Sequence, residues 1–123
     1  MGKHHVLIVE DDGDIQELLK FHFEKEGFNV SVQDDGREAL SYLDDGGGPP
    51  DIIILDLLMP DVGGIELLRR LQERPELDGT PRIVLTGLDD EDVLSEAFES
   101  GATDFVTKPF SPRSLLTRVN HLL

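Results

Sequence analysis

The chain has no cysteine, few basic residues and no long apolar run, and each absence excludes a class of protein. Without cysteine, disulfides and thiolate metal sites are excluded, although the redox compartment stays open. Only 11 Lys and Arg stand against 26 Asp and Glu, a net charge of −15, so we expect no direct binding to nucleic acid or to a membrane. We see neither a membrane-spanning run nor a signal peptide, which predicts a cytoplasmic protein.

The 123 residues suit one domain, so we expect residues 1–123 to form a single unit with no second domain.

Two short apolar segments each end in carboxylates. Residues 6–9 are followed by three acids at positions 10–12, and residues 52–55 are followed by Asp56. Continuous Val, Ile and Leu runs of this length are typical of parallel strands covered on both faces, and ligands of open α/β sheets bind beyond the carboxyl ends of the strands. Carboxylates crowded there raise one another's pKa unless a divalent cation joins them, and oxygen ligands favour Mg²⁺. The pattern predicts an acidic metal pocket.

Apolar and amphipathic segments alternate along the whole chain. We predict strands at residues 5–9, 28–32, 51–55, 82–86 and 104–107, with helices between and after them. The helices are expected from about residue 15 to Gly27, 35–45, 64–73, 90–100 and from the Ser111 cap onward, with Leu115, Leu116, Val119, Leu122 and Leu123 as the buried stripe of the last one. This alternation predicts a flavodoxin-like, doubly wound (βα)5 α/β fold with a parallel five-stranded sheet in the order 2-1-3-4-5. In that order the two acid-bearing strands are neighbours.

Two further segments complete the same edge of the predicted sheet. The fourth strand ends in Thr86-Gly87, and the fifth leads into Lys108-Pro109-Phe110. A hydroxyl and an ammonium beside a metal and a lone aspartate suit an oxyanion with three equatorial oxygens.

In this order and spacing, these segments resemble the receiver domain of two-component response regulators, a fold shared with the chemotaxis regulator. The resemblance covers essentially the whole chain and includes Gly64 and the segment Asp56-Leu57-Leu58-Met59-Pro60. It implies Mg²⁺-dependent transfer of a phosphoryl group to Asp56 from a histidine kinase or a histidine phosphotransfer protein. The resulting acyl phosphate makes the domain a self-catalysed phosphoacceptor with slow autodephosphorylation, and not a dedicated enzyme.

The resemblance also implies the metal ligands. Asp11 and Asp56 would bind Mg²⁺ directly, together with the backbone carbonyl of Leu58, and Glu10 would bind it through a water molecule. Asp12, the third acid, is expected to lie outside the ligand set.

The resemblance assigns the remaining roles mainly to the fourth and fifth strands and the residues that follow them. Thr86, Gly87 and Lys108 would bind the phosphoryl group, and the bond before Pro109 is cis in the family. Thr86 would move inward on phosphorylation, and Phe105 would fill the space behind it. The surface of the fourth helix, fifth strand and fifth helix would then change for an output domain or downstream protein. Bulky leucines at the two positions that tune dephosphorylation, Leu58 and Leu88, predict a long-lived phosphate.

The same surface bears on the oligomeric state. Asp104 and Arg118 supply one charged pair of the kind that joins receiver dimers, but residues 89–100 contain six acids and no base. We therefore expect a monomer, or a partner that carries basic groups.

Three alternatives come from other functional classes. A pseudo-receiver would act as a protein-binding module without phosphorylation, but such domains usually lose the aspartate or the lysine, and both are present here. A phosphatase with an aspartyl-phosphate intermediate needs a second carboxylate two residues after the nucleophile, where Leu58 stands. A flavodoxin-like cofactor role lacks a hydroxyl-rich phosphate loop after the first strand.

Overall fold

The computed structural model describes residues 3–46, 48–59, 62–87 and 91–123, in which strands and helices alternate. The strands are β1 His5–Val9, β2 Asn29–Gln33, β3 Ile52–Asp56, β4 Arg82–Thr86 and β5 Asp104–Thr107. The helices are α1 Gly13–Lys25, α2 Gly36–Asp44, α3 Gly64–Gln72, α4 Glu91–Glu99 and α5 Pro112–Leu122, with a 3₁₀ turn at Pro75–Leu77. All strand pairs are parallel, in the order β2-β1-β3-β4-β5, which confirms the predicted fold.

Side chains that alternate along the strands divide the core into two layers. Val6 and Ile8 of β1 pack in the layer that α1 and α5 cover, whereas Leu7 and Val9 pack in the layer that α2, α3 and α4 cover. Because helices cover both faces of the central strands, side chains on both faces are apolar and these strands are continuous apolar runs. Among the described residues, no helix has the length and apolar character needed to cross a membrane.

Helix termini follow the chemistry of their capping residues. The Asp35 side chain accepts a hydrogen bond from the Glu38 N–H at 2.9 Å, and the Ser111 hydroxyl accepts one from the Ser114 N–H at 3.2 Å. The Glu38 side chain returns to the N–H of Asp34 and not to that of Asp35, so the capping box is displaced by one residue. Gly27, just beyond α1, has a φ of 91°, a conformation that favours glycine.

The structure corrects several predicted details. Strands β2 and β3 begin one residue later than predicted, so Asp56 is the last residue of β3, where it pairs with Leu85 of β4. The 3₁₀ turn was not predicted, and Asp90, the expected start of the fourth helix, lies outside the described residues. Leu123 was assigned to the buried stripe but is 40% exposed, because it follows the last turn of α5.

Candidate functional site

The carboxyl ends of β1 and β3 place three carboxylates in one cluster. Val9 is paired with Leu55 in the parallel register, so the next residues of the two strands, Glu10 and Asp56, emerge at the same edge. One oxygen from each of Glu10, Asp11 and Asp56 lies within 4.8 Å of the other two. The structure thus brings together the acids that the sequence predicted.

The three acids differ in burial. The Glu10 side chain is fully buried and that of Asp56 is 6% exposed, whereas Asp11 is exposed. The site therefore has two acids in its wall and one at its mouth. Asp12 belongs to the helix: its side chain caps α1 by accepting hydrogen bonds from Asp14 N–H at 2.9 Å and Ile15 N–H at 3.3 Å.

Lys108 bridges the two buried carboxylates. Its Nζ donates to Asp56 Oδ2 at 2.8 Å and to Glu10 Oε1 at 3.1 Å. The backbone N–H of Lys108 donates to the Thr86 carbonyl at 2.8 Å, which joins the end of β4 to the segment after β5. The peptide bond between Lys108 and Pro109 is cis.

The other oxygen of Asp56 has a backbone partner. Asp56 Oδ1 accepts a hydrogen bond from the Leu58 N–H at 3.1 Å, so each carboxylate oxygen is held by a different donor. Gly64, the first residue of α3, lies against this segment: a Cβ at position 64 would lie 2.5 Å from Leu57 Cα and 2.7 Å from the Asp56 carbonyl oxygen. The close packing explains why glycine stands at position 64. The Leu58 side chain at the mouth of the site is 61% exposed.

The electrostatics of the cluster raise two pKa values. The pKa of the Glu10 carboxyl rises from 4.5 to about 7, first because burial disfavours the charged form and then because the Asp56 carboxylate lies beside it. Burial lowers the pKa of the Lys108 ammonium, but its hydrogen bonds to Asp56 and Glu10 outweigh this effect, and the net pKa is raised. Lys108 therefore remains charged and neutralises part of the cluster.

The cluster fits a divalent cation. Its donors are hard carboxylate oxygens from three residues, which is the ligand type of Mg²⁺. Burial and the neighbouring Asp56 carboxylate both disfavour the charged form of Glu10, and a dication beside Asp56 would favour that form.

The residues expected to bind phosphate and to act in the switch belong to β4, to the residue after it and to β5. Thr86 is fully buried at the end of β4, and Gly87 after it is exposed. Phe105 is half-buried on β5, and its ring meets that of Phe98 of α4 edge to face, with centroids 6.0 Å apart. Leu88, the second expected tuning position, lies outside the described residues.

The two residues that could supply a charged pair between protomers of a dimer pair with each other within the chain. Arg118 Nη1 of α5 donates to Asp104 Oδ2 of β5 at 2.7 Å. Helix α4 contains only acidic residues among its charged side chains.

Sequence reasoning missed one residue at this edge. The Gln16 side-chain amide donates to the backbone carbonyl of Glu10 and, at 2.7 Å, to Asp34 Oδ1. Gln16 lies one helical turn after Asp12, and that spacing is the signal that would have directed attention to it.

The chain is similar to known proteins of one family. The family model for the response regulator receiver domain matches residues 6–120. The response regulator SaeR of Staphylococcus aureus is 41% identical over 119 residues, which are 97% of this chain and 50% of SaeR, so the chain spans about half the length of the curated relatives it matches. The chemotaxis protein CheY4 of Vibrio cholerae is 30% identical with a TM-score of 0.92, and the match covers 99% of this chain and 100% of that one. A receiver domain of a signal transduction histidine kinase from Syntrophus aciditrophicus is 39% identical with a TM-score of 0.88, over 98% of this chain and 89% of that one. The chain therefore belongs to the response regulator receiver domain family of two-component signalling.

Proposed function

We propose that this domain accepts a phosphoryl group on Asp56 in a Mg²⁺-dependent reaction and passes the signal on through a changed surface. The observation that carries the proposal is the environment of the Asp56 carboxylate. It lies at the end of β3, within hydrogen-bonding distance of the Lys108 ammonium and in one cluster with Glu10 and Asp11. The nucleophile, Asp56, is thus adjacent to a cation that can bind the phosphoryl oxygens and to a set of metal ligands.

In the proposed reaction, an Asp56 carboxylate oxygen attacks phosphorus of a phosphohistidine on a histidine kinase or a histidine phosphotransfer protein. The new O–P bond forms as the P–N bond breaks, and the electron pair goes to the imidazole nitrogen, which takes up a proton. Lys108 is already 2.8 Å from the acceptor carboxylate, so its charge would be available to the transferred group without a large movement. Thr86 and Gly87, at the end of β4, would contact the same group.

Four protein groups are proposed to hold the metal. Asp11, Asp56 and the Leu58 carbonyl would bind Mg²⁺ directly, and Glu10 would bind it through water. When bound, the ion would neutralise charge that accumulates on the phosphoryl oxygens. Glu10 must give up its proton to take this role, because its pKa without metal is about 7.

The proposed output is a two-state change on α4, β5 and α5. A phosphoryl group adds charge and acceptors beside Thr86, which would move toward it, and Phe105 would follow into the space behind. Phe105 has no hydroxyl, so the coupling would depend on packing, and its edge-to-face contact with Phe98 connects it to α4. An output domain or downstream protein would recognise that surface, in the cytoplasm.

Intact mass after incubation with Mg²⁺ and acetyl phosphate tests the phosphorylation site. We expect a gain of one phosphoryl group that requires Mg²⁺ and that Asp56→Asn abolishes, while Asp51→Asn, an exposed aspartate before the same strand, keeps it. An unchanged mass in the wild-type protein would favour the alternative of a phosphorylation-independent binding module.

Sedimentation of the Mg²⁺-beryllofluoride complex tests the oligomeric state. We expect a monomer before and after activation, because Arg118 already pairs with Asp104 of the same chain and α4 supplies only acids. A tight dimer of the activated protein through this face would contradict the proposal.

A further inference from the structure

Gln16 connects two loops at the acidic end of the sheet. Its Nε2 donates to the Glu10 carbonyl, in the loop between β1 and α1, and to Asp34 Oδ1, just after β2. Both partners are acceptors, and a primary amide carries two N–H hydrogens, so the amide nitrogen satisfies both at once. A glutamate of the same shape would lack both donors and add a carboxylate beside Asp34.

The carbonyl that Gln16 holds belongs to the acid at the centre of the cluster. The N–H of Glu10 donates to the Gln33 carbonyl of β2 at 3.1 Å, and the Gln16 amide occupies the C=O of the same residue. Both polar groups of the Glu10 backbone are therefore fixed, one by the sheet and one by α1. Asp11 follows directly, is exposed, and its side chain makes no hydrogen bond within the part of the chain that the structure describes. The Asp11 backbone therefore owes its position to the neighbouring Glu10 backbone, and that position decides whether the Asp11 carboxylate can reach the cluster.

We infer that Gln16 is a positioning residue for the metal cluster, an inference that rests on the proposed Mg²⁺-dependent function. By holding the Glu10 carbonyl, Gln16 keeps the carboxylates of Glu10 and Asp11 directed toward Asp56, so that the cluster is assembled before an ion arrives. Without this hydrogen bond the segment after β1 samples other orientations, and binding a cation has to restore the ordered one. The free-energy cost of ordering this segment appears as weaker cation binding.

The simplest alternative is that Gln16 only stabilises the start of α1. In that case its loss would lower the free energy of unfolding and leave the metal affinity and the local order of the β1–α1 loop unchanged. Both of the latter quantities are measurable without phosphoryl transfer.

The experiment compares Gln16→Met with Gln72→Met, the same neutral change at an exposed glutamine that ends α3, far along the chain from the cluster. Calorimetry gives the Mg²⁺ dissociation constant, and urea unfolding gives the stability. Amide hydrogen exchange in metal-free protein reports on Asp12, whose N–H donates to Glu10 Oε2 at 3.3 Å.

For Gln16→Met we expect a Mg²⁺ dissociation constant about threefold to tenfold higher, the equivalent of one ordinary hydrogen bond, together with faster exchange at Asp12. Gln72→Met should leave both values as in the wild type. An unchanged affinity and exchange rate in Gln16→Met, with the wild-type protein binding Mg²⁺, would overturn the positioning role and leave the proposed function intact. A wild-type protein that binds no Mg²⁺ would overturn both.

Discussion

The Lys108 ammonium lies 2.8 Å from a carboxylate oxygen of Asp56, although 52 positions separate the two residues in the chain. They meet because β4 alone lies between β3 and β5, and all three strands end at the same edge of the sheet. The same ammonium reaches Glu10 at the end of β1, so it serves two buried acids. Without a metal ion, Lys108 is the cation that makes this concentration of negative charge tolerable.

Replacing Lys108 should therefore destabilise the metal-free protein. We expect Lys108→Met to lower the free energy of unfolding by about 1–3 kcal/mol at neutral pH, because the buried carboxyl groups of Asp56 and Glu10 lose a charged donor. Added Mg²⁺ should recover part of this loss by replacing the missing charge. Urea unfolding measures both effects. Lys20→Met, at an exposed position of α1, is the control for removing one positive charge from an acidic chain, and an equal loss in the two variants would contradict the prediction.

Glu10 should make stability depend on pH. Its pKa is 4.5 in an unperturbed chain and about 7 in the folded protein, so between these values the folded state keeps a proton that the unfolded state has released. The free energy of unfolding should fall as pH rises through this window, and this contribution should be lost above about pH 7. Urea unfolding of the metal-free wild-type protein and Glu10→Gln across the window gives the difference. A difference that does not vary with pH would refute this account.

Leu58 should control the lifetime of the acyl phosphate. Its side chain is apolar and 61% exposed beside the proposed acceptor, so it offers an attacking water no hydrogen bond. In Leu58→Asn an amide can hold that water, and we expect the half-life of the phosphate to shorten about fivefold, the equivalent of one hydrogen bond. Loss of phosphate is followed by intact mass. Leu123→Asn, a change at an exposed leucine outside the site, should keep the wild-type half-life, and no shortening in Leu58→Asn would count against the idea.

Gly64 should tolerate no side chain. A Cβ there would overlap the backbone of Asp56 and Leu57 at 2.5–2.7 Å, and backbone moves less readily than a flexible side chain. We expect Gly64→Ala to lower the free energy of unfolding by about 1–3 kcal/mol and to slow phosphorylation, because relief of the overlap displaces the acceptor. Gly79→Ala is the matched control, since a Cβ at position 79 would have no neighbour within 4 Å. Equal stability of the two variants would contradict the prediction, because it would show that the backbone after β3 can shift at little cost in free energy.

Local pattern alone determined the order of elements and the residues at the acidic edge. Continuous apolar runs identified the strands, and capping residues such as Asp35 and Ser111 identified helix starts, because these signals depend on neighbours within a few positions. The parallel order followed from the alternation, and with it the meeting of Glu10, Asp11 and Asp56.

Only the tertiary structure decided which acid is buried, what Lys108 touches and how loops are joined. Glu10 and Asp11 are adjacent and chemically alike, yet one is in the wall of the site and the other at its mouth, since burial depends on what the surrounding elements cover. Arg82 opens β4 as a buried guanidinium that donates to the Leu77 carbonyl at 3.2 Å, and Gln16 reaches across to Asp34. These contacts join residues that are far apart in the chain. Their energies depend on distances in the folded structure, and the pattern of residues within one segment carries no information on those distances.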